Sequence, residues 1–285
     1  MKKQVLLTML SVFAVASLSS CGSSSSISGS SNELVIGMEV NYAPFNWAET
    51  SSSDYTLPVS NNSGSYADGY DIQIAKLLGE KTGMTVKIFQ SKWESLIPNL
   101  QAGTINAVIA GMTDTEEREQ SISFTDEYYH SELVLVTTKE TADGYTSAIS
   151  KDDFGAFING KMLVSQDQTV TDDIITDVFT TYGAIHNNPV DSFALAALNV
   201  QQGGAFAMTA EYPVAESIVA ANSKLGIVHI DQTILGSSLA SLGVSIGIKK
   251  GNTELQTALN TALSSITSDT RLSLMEAAVN RSSSI

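Results

Sequence analysis

Short apolar runs alternate with amphipathic repeats along most of this chain. Residues 33–38, Glu-Leu-Val-Ile-Gly-Met, form a brief and nearly continuous apolar run, which predicts a buried strand. Further on, Ile72, Ala75 and Leu78 recur on one helical face, and Gly83 is placed to end that helix. Strands that alternate with helices in this way indicate an α/β fold with parallel strand pairs.

The alternation continues along the chain and begins again near residue 133. We expect the remaining strands at residues 86–89, 105–109, 133–138, 162–164, 205–208, 227–230 and 244–248. We expect the remaining helices at residues 93–101, 171–182, 194–202, 213–221 and 254–279, with a further one opening at Thr115. The polar residues 50–69 show no useful periodicity and predict an irregular loop. Two similar α/β halves predict a bilobed protein that binds its ligand in the crevice at the carboxyl ends of the strands.

The first twenty residues have the layout of a secretory signal. They contain two lysines, an apolar stretch and small residues at the end, and no acidic residue. The sequence Leu-Ser-Ser-Cys-Gly at 18–22 resembles the lipobox of bacterial lipoproteins, which implies lipidation of Cys21 and cleavage before it. A buried or unused cysteine is the alternative. We therefore assign residues 1–20 to a lipoprotein signal peptide and residues 21–32 to a Ser/Gly tether.

Charge and cysteine content exclude several classes of function. The chain carries 30 acidic and 15 basic residues, and this net charge of −15 argues against a nucleic-acid partner, because phosphate binding needs clustered Lys and Arg. A single cysteine excludes an internal disulfide and a cysteine-based metal site. The three histidines are scattered along the sequence, so we expect neither a metal site nor a cofactor.

One turn carries candidate chemistry. A predicted strand leads to Gly111, and a helix is expected to start at Thr115, so free backbone N–H groups at this turn are suited to bind an anion. Arg118 in the first helical turn offers a planar fork that matches a carboxylate. The alternative is a surface ion pair between Arg118 and Glu116 or Glu117, and spacing does not decide between the two.

Two motifs that suggest enzymes fail on their context. Residues 243–247 fit the pattern Gly-x-Ser-x-Gly of a nucleophile elbow, but every histidine precedes Ser245 and the apolar run continues, so we predict a strand. Residues 155–161 resemble a phosphate-binding loop, but Met162 stands where Ser or Thr is needed and no helix is predicted to follow. We therefore do not expect an enzyme.

Several segments in order resemble one known family. They are residues 34–45, the triplet Gly69-Tyr70-Asp71, residues 93–100, residues 109–118, residues 124–126 with Tyr128 and Tyr129, and residues 243–251. Together they resemble the polar amino-acid-binding proteins of bacterial ABC importers, extracellular solute-binding protein family 3. The resemblance covers almost the whole chain after the tether.

The resemblance implies a periplasmic-binding-protein-like, two-lobed α/β clamshell that closes on a free amino acid. Lobe 1 would comprise residues 33–130 and 239–285, and lobe 2 would comprise residues 131–238. Two hinge strands, at residues 128–132 and at about 237–242, would join the lobes.

The resemblance also implies roles for residues of the first lobe. Arg118 would bind the α-carboxylate of the ligand with help from Thr113, and the carbonyl of Gly111 would accept from its α-ammonium. Tyr42 and Trp93 would stack on either side of the ligand's side chain. The alternative is that both are aromatic residues of the hydrophobic core.

Three further positions follow from the resemblance, with departures from the family pattern. Glu39 falls where relatives contact a polar or cationic side-chain end, the alternative being a solvated strand end. Gln168 and Thr169 would contact the ligand through their backbone, with Gln168 replacing a glycine. Glu211 replaces an aspartate that holds the ammonium group, and an ordinary exposed glutamate is the alternative.

We therefore expect the substrate-binding component of an ABC amino-acid importer. It would capture an extracellular L-amino acid with a polar or cationic side chain (Lys, Arg, His or Gln) and deliver it to the membrane permease subunits. It would be a monomer, anchored through lipid on Cys21 to the outer face of a Gram-positive membrane. An enzyme of the dehydratase type on the same scaffold and a surface adhesin or signalling lipoprotein are the alternatives.

Overall fold

The computed structural model describes residues 32–236 and 242–282. The predictions of a signal peptide, a tether and lipidation at Cys21 lie outside these residues, as does most of the second hinge segment. In the described ranges, none of the helices has the length and apolarity needed to cross a membrane.

The secondary structure follows the predicted alternation of strands and helices. The described strands are β1 Glu33–Met38, β2 Asn41–Tyr42, β3 Asn46–Glu49, β4 Leu57–Pro58, β5 Tyr66–Asp68, β6 Thr85–Gln90, β7 Ala107–Val108, β8 Ile122–Tyr129, β9 Leu133–Thr138, β10 Met162–Val164, β11 Ile185–His186, β12 Ala207–Glu211, β13 Leu225–His229 and β14 Val244–Lys249. The described α-helices are α1 Tyr70–Thr82, α2 Leu96–Ala102, α3 Glu116–Glu119, α4 Lys139–Ala142, α5 Lys151–Ile158, α6 Val170–Asp177, α7 Phe193–Gln201, α8 Tyr212–Ala221, α9 Thr253–Ser264 and α10 Ser268–Ser282.

Two five-stranded sheets form the frames of two α/β lobes. The strand order is β6-β1-β7-β14-β8 in lobe 1 and β11-β10-β12-β9-β13 in lobe 2. In lobe 1 the apolar run of β1 pairs in parallel with β6 and β7, as the βαβ pattern predicts, and β14 pairs antiparallel with β7 and β8. The chain passes from the first sheet to the second between β8 and β9, and it returns between β13 and β14. The residue boundaries of the lobes stay a prediction.

Strand β9 shows why the second sheet is apolar on both faces. Val134 and Val136 belong to the larger hydrophobic cluster, which also contains the buried residues of lobe 1. Leu133 and Leu135 point to the opposite face and belong to a second cluster with the helices of lobe 2. A continuous apolar run is therefore what a strand covered on both faces requires.

The prediction of an irregular loop over residues 50–69 was wrong. The segment contains β4 and β5, which join a four-stranded antiparallel sheet of order β2-β3-β5-β4. These strands have only two and three residues, too few to show the two-residue period by which a strand is detected.

Other differences concern where helices begin and end. The helix expected at 93–101 starts with a 3₁₀ turn at Trp93–Ser95, and the one expected at 171–182 ends in a 3₁₀ turn at Phe179–Tyr182. The helical tail expected at 254–279 is interrupted after Ser264, where the next helix starts with Thr267 capping the amide of Thr270. The strand expected at 244–248, which carries the false nucleophile motif, is confirmed as β14.

Gly69 precedes α1 in a backbone conformation that only glycine tolerates there. Its φ is +132°, and a Cβ at this position would collide with the carbonyl oxygen of Phe45. The close approach allows the amides of Tyr70 and Asp71 to donate to the carbonyls of Pro44 and Phe45, at 2.9 and 2.8 Å. Gly69 therefore fixes the start of α1 against the segment that follows β2.

We predict that Gly69→Ala lowers the free energy of unfolding by about 3 kcal/mol or more, because backbone strain and a backbone clash add. Gly64→Ala is the matched control, since Gly64 has φ +81° with no atom within 4 Å of an added Cβ, and strain alone costs about 1–2 kcal/mol. Urea unfolding of both variants measures the difference. Equal losses of stability would contradict the proposed close approach.

Candidate ligand-binding site

A cavity of about 310 Å³, counting its mouth, lies between the two lobes. It is lined mainly by charged, polar and aromatic residues from both lobes: Glu39, Tyr42, Trp93, Gly111, Thr113, Arg118, Gln166, Thr169, Val170, Phe193 and Glu211. Eight of the nine predicted ligand-binding residues are in this set, and Gln168 is not.

The segment after β1 supplies the first wall of the cavity. Tyr42 is 5 % exposed and stacks on Phe45 and Phe193, with ring centroids 5.2 and 4.8 Å apart. Its hydroxyl donates to Oε2 of Glu211 in lobe 2 at 2.5 Å. Tyr42 therefore connects the two lobes as well as lining the cavity.

The turn between β7 and α3 supplies the second wall. Gly111 has φ +60°, and a Cβ on it would lie 2.6 Å from the ring of Tyr42, so both conformation and space require glycine. Thr113 is buried and pairs with Val244 in an isolated bridge next to β14. The turn is thus held beside the first residue of β14, at the end of the strands of the lobe 1 sheet.

Arg118 lies in α3, where Thr115 caps the helix by accepting from the amide of Arg118 at 3.2 Å. The guanidinium donates from Nη1 to the carbonyl of Thr113 at 2.8 Å and from Nη2 to the carbonyl of Gln168 at 3.0 Å. It also lies 5.3 Å from the ring centroid of Trp93.

No carboxylate approaches the guanidinium within 4.0 Å in the part of the chain that the structure describes. The alternative of a surface ion pair with Glu116 or Glu117 is therefore not what the structure shows. Burial lowers the pKa of Arg118. The negative charges of Asp173 and Glu117 are the largest effects that raise it. A guanidinium has five N–H donors, so the two backbone bonds leave it able to bind an anion.

Lobe 2 contributes the start of α6. Thr169 caps this helix by accepting from the amide of Asp172 at 3.2 Å, and it donates to the carbonyl of Gln166 at 2.7 Å. Gln168 has φ +58°, in the region that favours glycine, and its carbonyl accepts from both Trp93 Nε1 and Arg118 Nη2 at 3.0 Å. Gln168 thus contacts Trp93 and Arg118 through its backbone, while the residue lies outside the cavity lining.

Two carboxyl groups face the cavity, and among the described residues neither has a cationic nitrogen within 4.0 Å. Glu211 is 5 % exposed, which excludes the alternative of an ordinary exposed glutamate, and burial raises its pKa while the Tyr42 hydroxyl lowers it. Glu39 accepts from Nε2 of Gln166 at 3.1 and 3.2 Å, and burial raises its pKa to about 7. Glu39 is therefore held across the lobes and is not a solvated strand end.

The sequence reasoning missed three lining residues, Gln166, Val170 and Phe193. Gln166 and Val170 flank the predicted contact residues Gln168 and Thr169, and these positions were a usable signal. Phe193 opens α7 directly after its capping residue Ser192. An aromatic residue at a helix start resembles Trp93, but only the fold brings Phe193 against Tyr42.

The described residues contain no group of three or more His, Cys, Asp or Glu placed to hold a metal ion. The cavity instead combines one guanidinium, two carboxyl groups, one amide and several aromatic rings. Such a set is suited to binding a small molecule that carries both signs of charge.

The sequence from residue 34 to residue 278 matches the family described as bacterial extracellular solute-binding proteins, family 3. The chain belongs to this family. The resemblance predicted from the sequence is therefore confirmed. The two-lobed α/β fold is confirmed as well, because the structures that resemble this family 3 protein are amino-acid-binding proteins of this fold.

Two relatives differ in how much of the chain they match and in their identity to it. The family 3 protein is 32 % identical over 142 residues to the "Arginine-binding extracellular protein ArtP" of Bacillus subtilis (strain 168), an alignment that covers 50 % of each chain. It is 26 % identical to the "Probable histidine-binding protein" of Campylobacter jejuni over 78 % of this chain and 79 % of the relative.

Among solved structures, an ancestral arginine-binding protein bound to arginine superimposes with a TM-score of 0.66 at 26 % identity, over 86 % of this chain and 97 % of the other. An amino acid ABC transporter substrate-binding protein AbpA from Streptococcus pneumoniae, bound to L-arginine, has a TM-score of 0.71 at 20 % identity. The alignment with AbpA covers 88 % of this chain and 96 % of AbpA, and that likeness shows the fold alone.

The raised pKa of Glu39 predicts a pH-dependent stability. Ionisation of the buried carboxyl costs stability as the pH rises from the ordinary value of 4.5 to the folded value of about 7. We therefore expect Glu39→Gln, which stays neutral, to match the wild type at pH 4 and to exceed it at pH 8. The difference between a pKa of 4.5 and one of about 7 corresponds to about 3 kcal/mol, so we expect Tm at pH 8 to rise by about 6–12 °C.

Thermal melts of the ligand-free family 3 protein between pH 4 and pH 8 measure this difference. Glu80→Gln makes the same charge change at an exposed position of α1 and should leave Tm nearly unchanged throughout. A Glu39→Gln variant whose Tm follows that of the wild type at every pH would show that the carboxyl is not desolvated.

Proposed function

We propose that this chain is the substrate-binding component of an ABC amino-acid importer. It captures an extracellular L-amino acid with a polar or cationic side chain by closure of the lobes, and it delivers the ligand to the membrane permease. The observation that carries the proposal is the guanidinium of Arg118, which lines the interlobe cavity and is held there by backbone hydrogen bonds, with no carboxylate within 4.0 Å in the described ranges.

The groups of the cavity match the two charges that every free amino acid carries. Arg118 offers a planar fork for the α-carboxylate, with Thr113 on the same turn. Glu211 offers a carboxylate for the α-ammonium, and the carbonyl of Gly111 is a further acceptor on the facing wall. In water-poor surroundings these bonds are stronger than at an exposed surface.

The charge of the cavity favours a cationic or polar side chain. One guanidinium and two carboxyl groups face it, so a zwitterionic backbone that pairs with Arg118 and Glu211 leaves Glu39 for the side-chain end. Gln166 holds the Glu39 carboxylate in place and is itself able to bind an amide. Tyr42, Trp93 and Phe193 provide aromatic surfaces for the stem between the two ends.

Names of relatives support the same class of ligand. Those aligned in sequence are described as arginine-binding, probable histidine-binding and glutamine-binding proteins. Each is named as a binding protein, which supports a receptor rather than an enzyme for this chain. We further propose that it acts as a monomer outside the cytoplasm, held to the membrane through lipid on Cys21.

Closure of the lobes is the proposed binding movement. Contacts already cross between the lobes at the cavity, where Tyr42 bonds to Glu211, Glu39 bonds to Gln166, and Trp93 bonds to the Gln168 carbonyl. A ligand that contacts Arg118 on one side and Glu211 on the other favours the closed state by its difference in affinity for the two states.

We predict that a thermal-shift screen against the twenty amino acids gives its largest shift with Arg, Lys, His or Gln. At a ligand concentration of about 100 times Kd, the stabilisation is about 2.7 kcal/mol, or a rise of about 5–10 °C in Tm. Arg118→Lys keeps the charge but loses the fork, so its affinity should fall by about 10- to 100-fold, and Arg118→Ala should lose the shift.

Lys92→Ala is the matched control, because it removes one positive charge from an exposed side chain near the cavity and should keep the wild-type shift. If no amino acid shifts the wild type, or if Arg118→Ala responds as fully as Lys92→Ala, the proposed site is wrong. Prolonged incubation with the best ligand separates receptor from enzyme, since a binding protein returns the amino acid unchanged.

A further inference from the structure

A buried carboxyl group lies beneath the cavity without touching it. Asp71, the second residue of α1, is completely buried, and no cation approaches it within 4.0 Å among the described residues. Its Oδ2 accepts from Nδ2 of Asn46 at 2.8 Å, and its Oδ1 accepts from the hydroxyl of Tyr128 at 2.7 Å. A buried carboxyl without a cation is costly, so it needs a reason beyond packing.

The Asn46 arm of this network reaches the turn that carries Glu39 and Tyr42. Oδ1 of Asn46 accepts from the amide of Val40 at 2.7 Å. Val40 has φ +58°, a conformation that a β-branched residue rarely adopts and that must be held by its surroundings. Because Asp71 fixes the amide of Asn46, it also fixes which end of Asn46 faces Val40.

The Tyr128 arm reaches the other ligand-binding turn. The hydroxyl of Tyr128 accepts from the amide of Gly111 at 3.0 Å while it donates to Asp71. This bond holds Gly111 at φ +60°, two residues before Thr113. Tyr128 itself is fully buried in β8, next to the point where the chain leaves the lobe 1 sheet.

We propose that Asp71 is a positioning residue, which holds the Val40 turn and the Gly111 turn in the relative geometry that ligand binding requires. The proposal rests on the proposed function for its effect on affinity. One carboxyl group is bonded through one intermediate side chain to each turn, so a change at Asp71 moves both walls of the lobe 1 half of the cavity.

Both hydrogen bonds are donated to the carboxyl group of Asp71, so this arrangement stabilises its ionised form. Burial raises the pKa of Asp71 to about 7, while the bonds from Tyr128 and Asn46 act in the opposite direction. The two donors thus replace a cation as the groups that stabilise the charge.

Tyr70 supplies a matched control for Tyr128. It is also fully buried and stacks on Tyr128 with ring centroids 5.9 Å apart, but its hydroxyl donates to the backbone carbonyl of Tyr128 at 2.8 Å. That bond reaches neither ligand-binding turn. Tyr70→Phe and Tyr128→Phe each remove one buried hydroxyl. Tyr70→Phe removes one hydrogen bond to a backbone carbonyl, whereas Tyr128→Phe removes two bonds, one of them to the carboxyl, so we expect Tyr128→Phe to cost more stability.

The first measurement is hydrogen exchange of the ligand-free protein, which does not depend on the ligand. In Tyr128→Phe the amide of Gly111 should exchange at least about 10-fold faster, and in Asp71→Asn the amides of both Val40 and Gly111 should do so. Tyr70→Phe should change neither by more than about twofold. Equal exchange at these amides in Asp71→Asn and Tyr70→Phe would overturn the proposal.

The second measurement is calorimetric titration with the amino acid that shifts the wild type most. Tyr128→Phe should bind at least about 10-fold more weakly, and Tyr70→Phe within about twofold of the wild type. Equal affinities for the two variants would overturn the positioning role in binding. Loss of amide protection together with a wild type that binds no amino acid would support the positioning role and reject the proposed function.

Discussion

The cleft between the two lobes depends on buried charged groups that have no ion pair among the described residues. Arg118 is held by two backbone carbonyls, and Glu39 and Glu211 are held by an amide and a phenol. Each group is fixed by a neutral dipole rather than by an opposite charge, and burial shifts its pKa toward the uncharged form. A ligand with both signs of charge would relieve this cost at several points together, which supports the proposal of a zwitterionic ligand.

The fold provides this arrangement by bringing loops from distant parts of the chain to one place. The turns after β1 and β7 lie at the carboxyl ends of parallel strands in lobe 1, and the start of α6 and the end of β12 face them from lobe 2. Beneath the cleft, Asp71 connects both lobe 1 turns through Asn46 and Tyr128. The two lobe 1 turns that line the cavity are thus joined by a polar network within the core.

The sequence predicted those parts of the fold and the site whose patterns extend over enough residues to show a period. Long periodic segments such as α1, and buried runs such as β1 and β9, were predictable because burial imposes a period on them. The strands between Thr50 and Gly69 were not, since two or three residues carry no period. Arg118 stood out by its place after a strand-to-helix turn, and family resemblance supplied its role. Phe193 and the contacts of Asp71 depend on residues far apart in sequence, so no local pattern revealed them.

The central claim is that the guanidinium of Arg118 binds the α-carboxylate of a free amino acid. The most direct measurement compares, by calorimetric titration, the amino acid that binds best with its decarboxylated amine, which keeps the side chain and the amino group. The account predicts that removal of the carboxylate weakens binding by at least about 100-fold, the value of a bidentate charged pair in a buried site. Equal affinity of the amine and the amino acid would contradict it.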